Sequence, residues 1–173
     1  MKLGTIRLNG QQTVIGQVDE TNAVALEPAT MEDLIAGGEQ ALDDARQLIE
    51  NGSAGSAELI DVGNADWMAP NPMASKILGC AVNNNNLNKV AHRPMKSPMF
   101  FTKGRSALTG HNKPIKILTR HGRTIPEPEP VVVFKDTVKD VGEDKILEHV
   151  FGYTLTNDCT ASGIKFGEDA IAL

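Results

Sequence analysis

Residues 126–130 read Pro-Glu-Pro-Glu-Pro and run straight into Val131-Val132-Val133-Phe134, and this stretch limits the possible folds more than any other. Proline holds φ at about −65° and has no backbone donor, so three prolines at alternate positions exclude a helix and the middle of a sheet. The segment must be extended and must lie at an edge. In an extended chain residues i and i+2 point to one side, so Glu127 and Glu129 face the same point and are held stiffly. Two carboxylates aimed together repel unless a cation sits between them. A hard cation such as Mg²⁺ takes oxygen ligands in an octahedron and keeps several waters. Asp158, after the strand-like run Val150–Thr156, offers a third oxygen. Taken alone, Glu-Pro-Glu also suits a solvated acidic loop.

Ahead of this stretch the chain changes character twice. The first 27 residues read as a β-meander, with strands over Lys2–Leu8, Thr13–Val18 and Ala23–Leu26. Asn9-Gly10 between the first two is a hairpin signal, because both residue types tolerate positive φ. Thr30 is a helix N-cap candidate with Asp33 three positions on. Leu34, Ile35, Ala41, Leu42, Ala45, Leu48 and Ile49 then share one helical face. Gly37-Gly38 divides that pattern in two, and Asn51-Gly52 closes it. Trp67, Pro70 and Pro72 mark the expected end of a small acidic module, residues 1–70. From Lys76 the chain reads as β-rich, with strands at Lys76–Val82, Phe100–Lys103, Ile115–Leu118, Val131–Phe134 and Val150–Thr156. Four consecutive asparagines, Asn83–Asn86, follow the first of these.

The formal net charge of −5 conceals a division. Residues 1–70 carry three Lys/Arg against twelve Asp/Glu, residues 71–123 carry ten Lys/Arg and no acid, and residues 124–173 carry four against ten. Convergent cations attract and orient carboxylates or phosphates, so the acid-free block reads either as an anion site or as a basic face paired with its acidic flanks. Aromatic residues are only 4% of the chain, too few for base-stacking platforms, and no nucleic-acid motif is present. No apolar run approaches the roughly 18 residues of a membrane span. Cys80 and Cys159 read as ordinary reduced thiols of a cytoplasmic protein, with a bridge between them left open but not indicated. At 173 residues the chain is long enough for a real core.

Four segments, in order, resemble the fumarylacetoacetate hydrolase superfamily. Lys76–Asn83 is similar to its K-I-x-x-x-G-x-N-Y strand, and Pro98–Lys103 followed by Leu108-Thr109-Gly110 to its P-x-F-F-x-K…L-x-G segment. Glu127-Pro128-Glu129 and the valines after it resemble its E-x-E-L-A-V-V-I metal motif. Val150–Asp158 is similar to V-x-G-Y-T-x-x-N-D. The acidic module resembles the family's N-terminal extension, and the proline-flanked Glu-Pro-Glu resembles a branch that dehydrates 2-keto-3-deoxy acids. The resemblance implies an α+β chain: a small N-terminal module, then a mixed β-roll over 71–173 that lacks the family's C-terminal part. It also implies Mg²⁺ (or Mn²⁺/Ca²⁺) held by Glu127, Glu129 and Asp158, a basic Lys103 beside the site, and Asn83 near the metal edge. The metal would chelate a 2-oxo or β-diketo acid and stabilise its enolate for decarboxylation, isomerisation, dehydration or C–C hydrolysis.

The departures from the family pattern bear on chemistry. Where the family carries N-Y-x-D-H-x-x-E, with His and Glu as an acid–base dyad, this chain reads Asn83–Val90 with Leu87 and Val90 in those places. His92, five residues beyond Leu87, is the substitute candidate for proton transfer, set against an ordinary exposed loop histidine. The family's later Arg and Gln are replaced by Ser162 and Lys165. Lys165 restores a positive charge for substrate without the bidentate fork of arginine. Family members continue past Leu173 through a further Lys-bearing strand, so a homodimer or a complementary second chain is expected to complete the roll. The leading function is therefore a metal-dependent 2-oxo acid enzyme. A catalytically degenerate binding or partner subunit of the same fold stands beside it, and a basic-surface binding domain stands third.

Overall fold

The Asn9-Gly10 pair sits in a turn with φ of 51° and 83°, values that glycine and asparagine reach at little steric cost. It joins β1 (Leu3–Leu8) to β2 (Gln11–Gln17), paired antiparallel from Leu3↔Gly16 to Leu8↔Gln11. The computed structural model describes residues 1–81, 83 and 97–161. It divides into two compact units, Met1–Lys113 and Pro114–Leu173.

In the first unit β3 (Asn22–Ala25), β4 (Ile60–Asp61) and β5 (Asp66–Trp67) extend the hairpin to a five-stranded sheet of order β4-β3-β2-β1-β5. Helices α1 (Met31–Ala36) and α2 (Gly38–Ser53) follow the meander, divided at Gly37 as the sequence pattern predicts. Thr30 caps α1 in extended conformation, its hydroxyl accepting from the Asp33 N–H at 3.1 Å. α2 lies against the sheet face that carries Gly16 and Val24: a Cβ on Gly16 would strike Ile49, and one on Gly52 would strike Val24. Ile6, Ile15 and Ala23 face the other way and are covered by Ile60, Val62, Ala65 and Trp67. The sheet is thus buried on both faces. Each fully buried aliphatic side chain there contributes about 1.5–3 kcal/mol.

The 60–70 segment remains tied to this sheet. The Met68 N–H donates to the Thr5 carbonyl at 2.9 Å, and the buried Thr5 hydroxyl donates to the Pro70 carbonyl at 2.6 Å. The module boundary expected at residue 70 falls inside the first unit, which also contains a hairpin of β6 (Ile77–Ala81) and β7 (Met99–Lys103).

The second unit is built on β9 (Pro128–Phe134) and β10 (Val150–Asn157), with β8 (Thr124–Ile125) pairing with β11 (Thr160–Ala161). All pairings among the described residues are antiparallel. The strand expected at Ile115–Leu118 is not formed. Those residues lie in irregular chain after Pro114, with Ile115, Ile117 and Leu118 exposed. β propensity produces a strand only where a partner edge is in register. Every fully buried described residue lies between positions 4 and 69. The later hairpins carry large exposed apolar side chains, among them Phe100, Tyr153 and Leu155.

Candidate functional site

Exposure alternates along β9. Pro128, Pro130, Val132 and Phe134 are exposed, whereas Glu129, Val131 and Val133 are half-buried, and Glu127 is half-buried as well. The period-2 pattern puts both glutamates on the less exposed side. The prolines face out and donate nothing, as an edge requires.

Across the ladder Thr156 faces Glu129, Asn157 faces Pro128, and Thr160 faces Ile125. One constant register therefore sets Asp158 opposite Glu127. Its amide donates to the Glu127 carbonyl at 2.8 Å. Pro126, next in line, has no N–H, so the ladder breaks there before resuming at Ile125. Two side chains mend the gap. Asn157 Oδ1 accepts from the Glu127 N–H at 3.1 Å, and the Thr160 hydroxyl donates to Glu127 Oε2. Asn157 belongs to the N-D segment that resembles the family's, though its sequence shows no capping role, and Thr160 shows its place only once the register is known.

The backbone thus gathers Glu127, Glu129 and Asp158 at one end of one ladder, with Asp158 Oδ1 buried. Among the described residues no three His, Cys, Asp or Glu side chains are grouped closely enough to hold a metal ion. Glu127, Glu129 and Asp158 offer only carboxylate oxygens, the ligand type a hard divalent cation takes, but their side chains are not drawn together around one point.

Lys103 ends β7 in the first unit, paired with Ile77 and with Nζ 5.9 Å from the Phe101 ring centroid. Asn83 is exposed, just beyond β6. His92 and Lys165 lie outside the described residues. Of the acid-free block, Lys113 forms an ion pair with Asp66 of the acidic module, so part of its charge is met by that flank. At the far end of the β9–β10 ladder His149 Nδ1 lies 2.6 Å from Asp136 Oδ1, and the Lys135 N–H donates to the His149 carbonyl at 2.9 Å. This clamp closes the base of the connecting loop. The sequence carries no signal for it. Cys80 and Cys159 are both free, half-buried thiols, and among the described residues no helix is long and apolar enough to cross a membrane.

The chain is similar to proteins already described. It is 26% identical over 135 residues to "Oxaloacetate tautomerase fahd2, mitochondrial" of Xenopus laevis, covering 78% of this chain and 41% of that one. It is 29% identical over 148 residues to "Oxaloacetate tautomerase YisK" of Bacillus subtilis, covering 80% and 49%. It therefore spans less than half the length of these two curated relatives. Among solved structures, the fumarylacetoacetate hydrolase of Exiguobacterium antarcticum superposes with a TM-score of 0.65 at 19% identity, over 93% of this chain and 56% of that one. The likeness supports a sheet-dominated fold of that type. The family model described as fumarylacetoacetate (FAA) hydrolase, C-terminal, matches residues 76–172, more than half of the chain and all of the β9–β10 ladder: the chain belongs to the fumarylacetoacetate hydrolase family.

Proposed function

We propose that the chain acts as a divalent-metal-dependent enzyme on a 2-oxo acid of the oxaloacetate type, interconverting its keto and enol forms. The observation that carries this reading is the β9–β10 register, with Glu127 and Glu129 on the half-buried side and Asp158 opposite Glu127. The two relatives named as oxaloacetate tautomerases support the substrate class. Glu127, Glu129 and Asp158 would hold the ion, Mg²⁺ or, in its place, Mn²⁺ or Ca²⁺. A bound divalent cation supplies Lewis-acid stabilisation of negative charge on the 2-oxo oxygen.

The remaining work falls to side chains of this chain. Lys103 binds the substrate carboxylate and holds a proton at Nζ. Asn83 and Lys165 orient the substrate oxygens, and His92 exchanges a proton at its ring nitrogen. The roles of Lys103, Asn83 and Lys165 rest on motif position, and that of His92 on its place five residues beyond Leu87. Tautomerisation moves one proton between carbon and oxygen, whereas C–C hydrolysis also needs an activated water. With Leu87 and Val90 where the family carries its dyad, general acid–base help worth about 10²–10⁴-fold, or about 3–5 kcal/mol of barrier, is missing from the hydrolytic route. The same substitution favours one second reading, a metal-binding subunit without turnover.

The test follows the ultraviolet absorbance of enol-oxaloacetate. Acceleration by the full chain in Mg²⁺ or Mn²⁺, abolished by EDTA and by Glu127→Gln, is expected. Acceleration indifferent to both contradicts the proposal. Metal binding without acceleration establishes the second reading instead.

A further inference from the structure

The first unit contains a hollow of about 390 Å³ where β1, β5 and the 105–113 segment meet. Its charged lining consists of Arg7, Arg105, Lys113 and a single acid, Asp66. Arg7 and Asp66 are cross-strand partners on β1 and β5. The Asp66 carboxylate takes the Lys113 ammonium on Oδ1, and its Oδ2 lies 3.8 Å from Arg7 Nε. The Lys113 hydrogen bond, helped by the charges of Lys113 and Arg7, holds the Asp66 carboxyl below its ordinary range, so it is ionised at neutral pH.

One carboxylate cannot match three cations. Arg105 lies against the Met73 thioether, Nη1 to Sδ 3.7 Å, a soft acceptor that carries no charge. Among the described residues no carboxylate lies within ion-pair distance of it. The hollow therefore carries an excess of two positive charges. Its walls are firm as well as charged. Gly110 packs so closely on Trp67 that a Cβ there would lie 1.8 Å from the Trp67 carbonyl oxygen. The Trp67 ring meets His111 edge-on at 6.2 Å between centroids.

We propose that this hollow binds a small dianion, with Arg7, Arg105 and Lys113 converging on its anionic oxygens and Asp66 acting as the counter-charge displaced or shared on binding. The matching chemistry is two negative charges on adjacent or nearby oxygens, as in a dicarboxylate or a phosphate. Guanidinium forks suit both. The site lies wholly within the first unit and does not depend on the function proposed above.

Trp67 is the only tryptophan of the chain and lines the hollow, so its emission is a local reporter. The full chain is titrated with succinate and, separately, with inorganic phosphate, both at constant ionic strength. Calorimetry on the same solutions counts binding that leaves emission unchanged. A saturable response to either anion is expected, and the arm that saturates identifies the ligand class. Arg105→Gln should weaken it at least tenfold. Asp66→Asn, which removes the competing negative charge, should tighten it several-fold, and Glu127→Gln should leave it unchanged. Circular dichroism confirms that the variants fold, and Lys113→Gln serves in place of Arg105→Gln where it does not. Absence of saturable binding by both methods overturns the proposal. So does binding indifferent to Arg105→Gln or lost in Glu127→Gln.

Discussion

Replacing Gly110 by alanine tests the packing that joins the L-x-G segment to the N-terminal sheet. The new Cβ would sit 1.8 Å from the Trp67 carbonyl oxygen, 2.5 Å from its carbonyl carbon and 3.0 Å from the Met68 nitrogen. All three are backbone atoms, so no side chain can swing aside. The two segments must separate by about 1 Å or more to approach van der Waals distance. The displaced backbone is the one whose Met68 N–H donates to Thr5 at 2.9 Å. Overpacking of this kind costs about 1–3 kcal/mol, and weakening a backbone hydrogen bond adds about 1 kcal/mol. The lower entropy of alanine in the unfolded chain returns about 0.4–1 kcal/mol. The net loss is about 1–3.5 kcal/mol. At about 4 °C per kcal/mol for a unit of this size, that lowers Tm by about 4–14 °C. Gly104→Ala is the matched control. Gly104 has φ −74° and ψ 150°, and its nearest neighbour would be the Ser106 hydroxyl at 3.5 Å, so alanine fits without strain. Urea unfolding followed by Trp67 emission and thermal unfolding by circular dichroism compare the two. If Gly110→Ala falls within about 0.5 kcal/mol of the control, the close approach does not exist.

Three further outcomes follow from named contacts. Thr30→Ala removes the hydroxyl that accepts from the Asp33 N–H at 3.1 Å and should cost about 1 kcal/mol in urea unfolding, whereas Thr30→Asn should cost little. Asp19 is held below the ordinary carboxylate value of 3.8, first by the Asn22 side chain and then by the Thr21 N–H. Its stabilisation is therefore complete above that value and is lost as pH falls through the lower folded one. Urea midpoints of the native chain should drop below about pH 4 more steeply than those of Asp19→Asn. On the catalytic side, hydrolysis of an acylpyruvate should run at least tenfold slower than enol–keto conversion of oxaloacetate, a gap of the size that general acid–base groups supply. His92→Ala should slow the conversion without changing Mn²⁺ affinity.

Local chemistry carried much of the fold. Asn9-Gly10, the Thr30 cap and the break at Gly37 depend on residues within a few positions of one another, and their conformations follow from backbone preference alone. The shared face of Glu127 and Glu129 was legible for the same reason, since alternation is a property of any extended chain. Long-range pairing was not. That Trp67 closes the sheet against Ile6, that Gly110 rests on Trp67, and that Asp158 stands opposite Glu127 are matters of register, which propensity does not encode. The apolar run Ile115–Leu118 shows the converse, with strand composition but no strand formed. The Arg7, Asp66 and Lys113 cluster joins residues 59 and 47 positions apart. The charge division of the chain left the acid-free block as either an anion site or a basic face paired with its acidic flanks, and carried no sign that Lys113 and Arg7 would meet at Asp66.

The proposed function requires Glu127, Glu129 and Asp158 to share one divalent cation, and calorimetric titration of Mn²⁺ into the full chain tests that requirement. One binding event per chain is predicted, weakened at least tenfold by Glu127→Gln and by Asp158→Asn and unchanged by Glu143→Gln, which alters an exposed acid elsewhere in the second unit. No binding in millimolar Mn²⁺, or an affinity that all three variants share with the native chain, would contradict it.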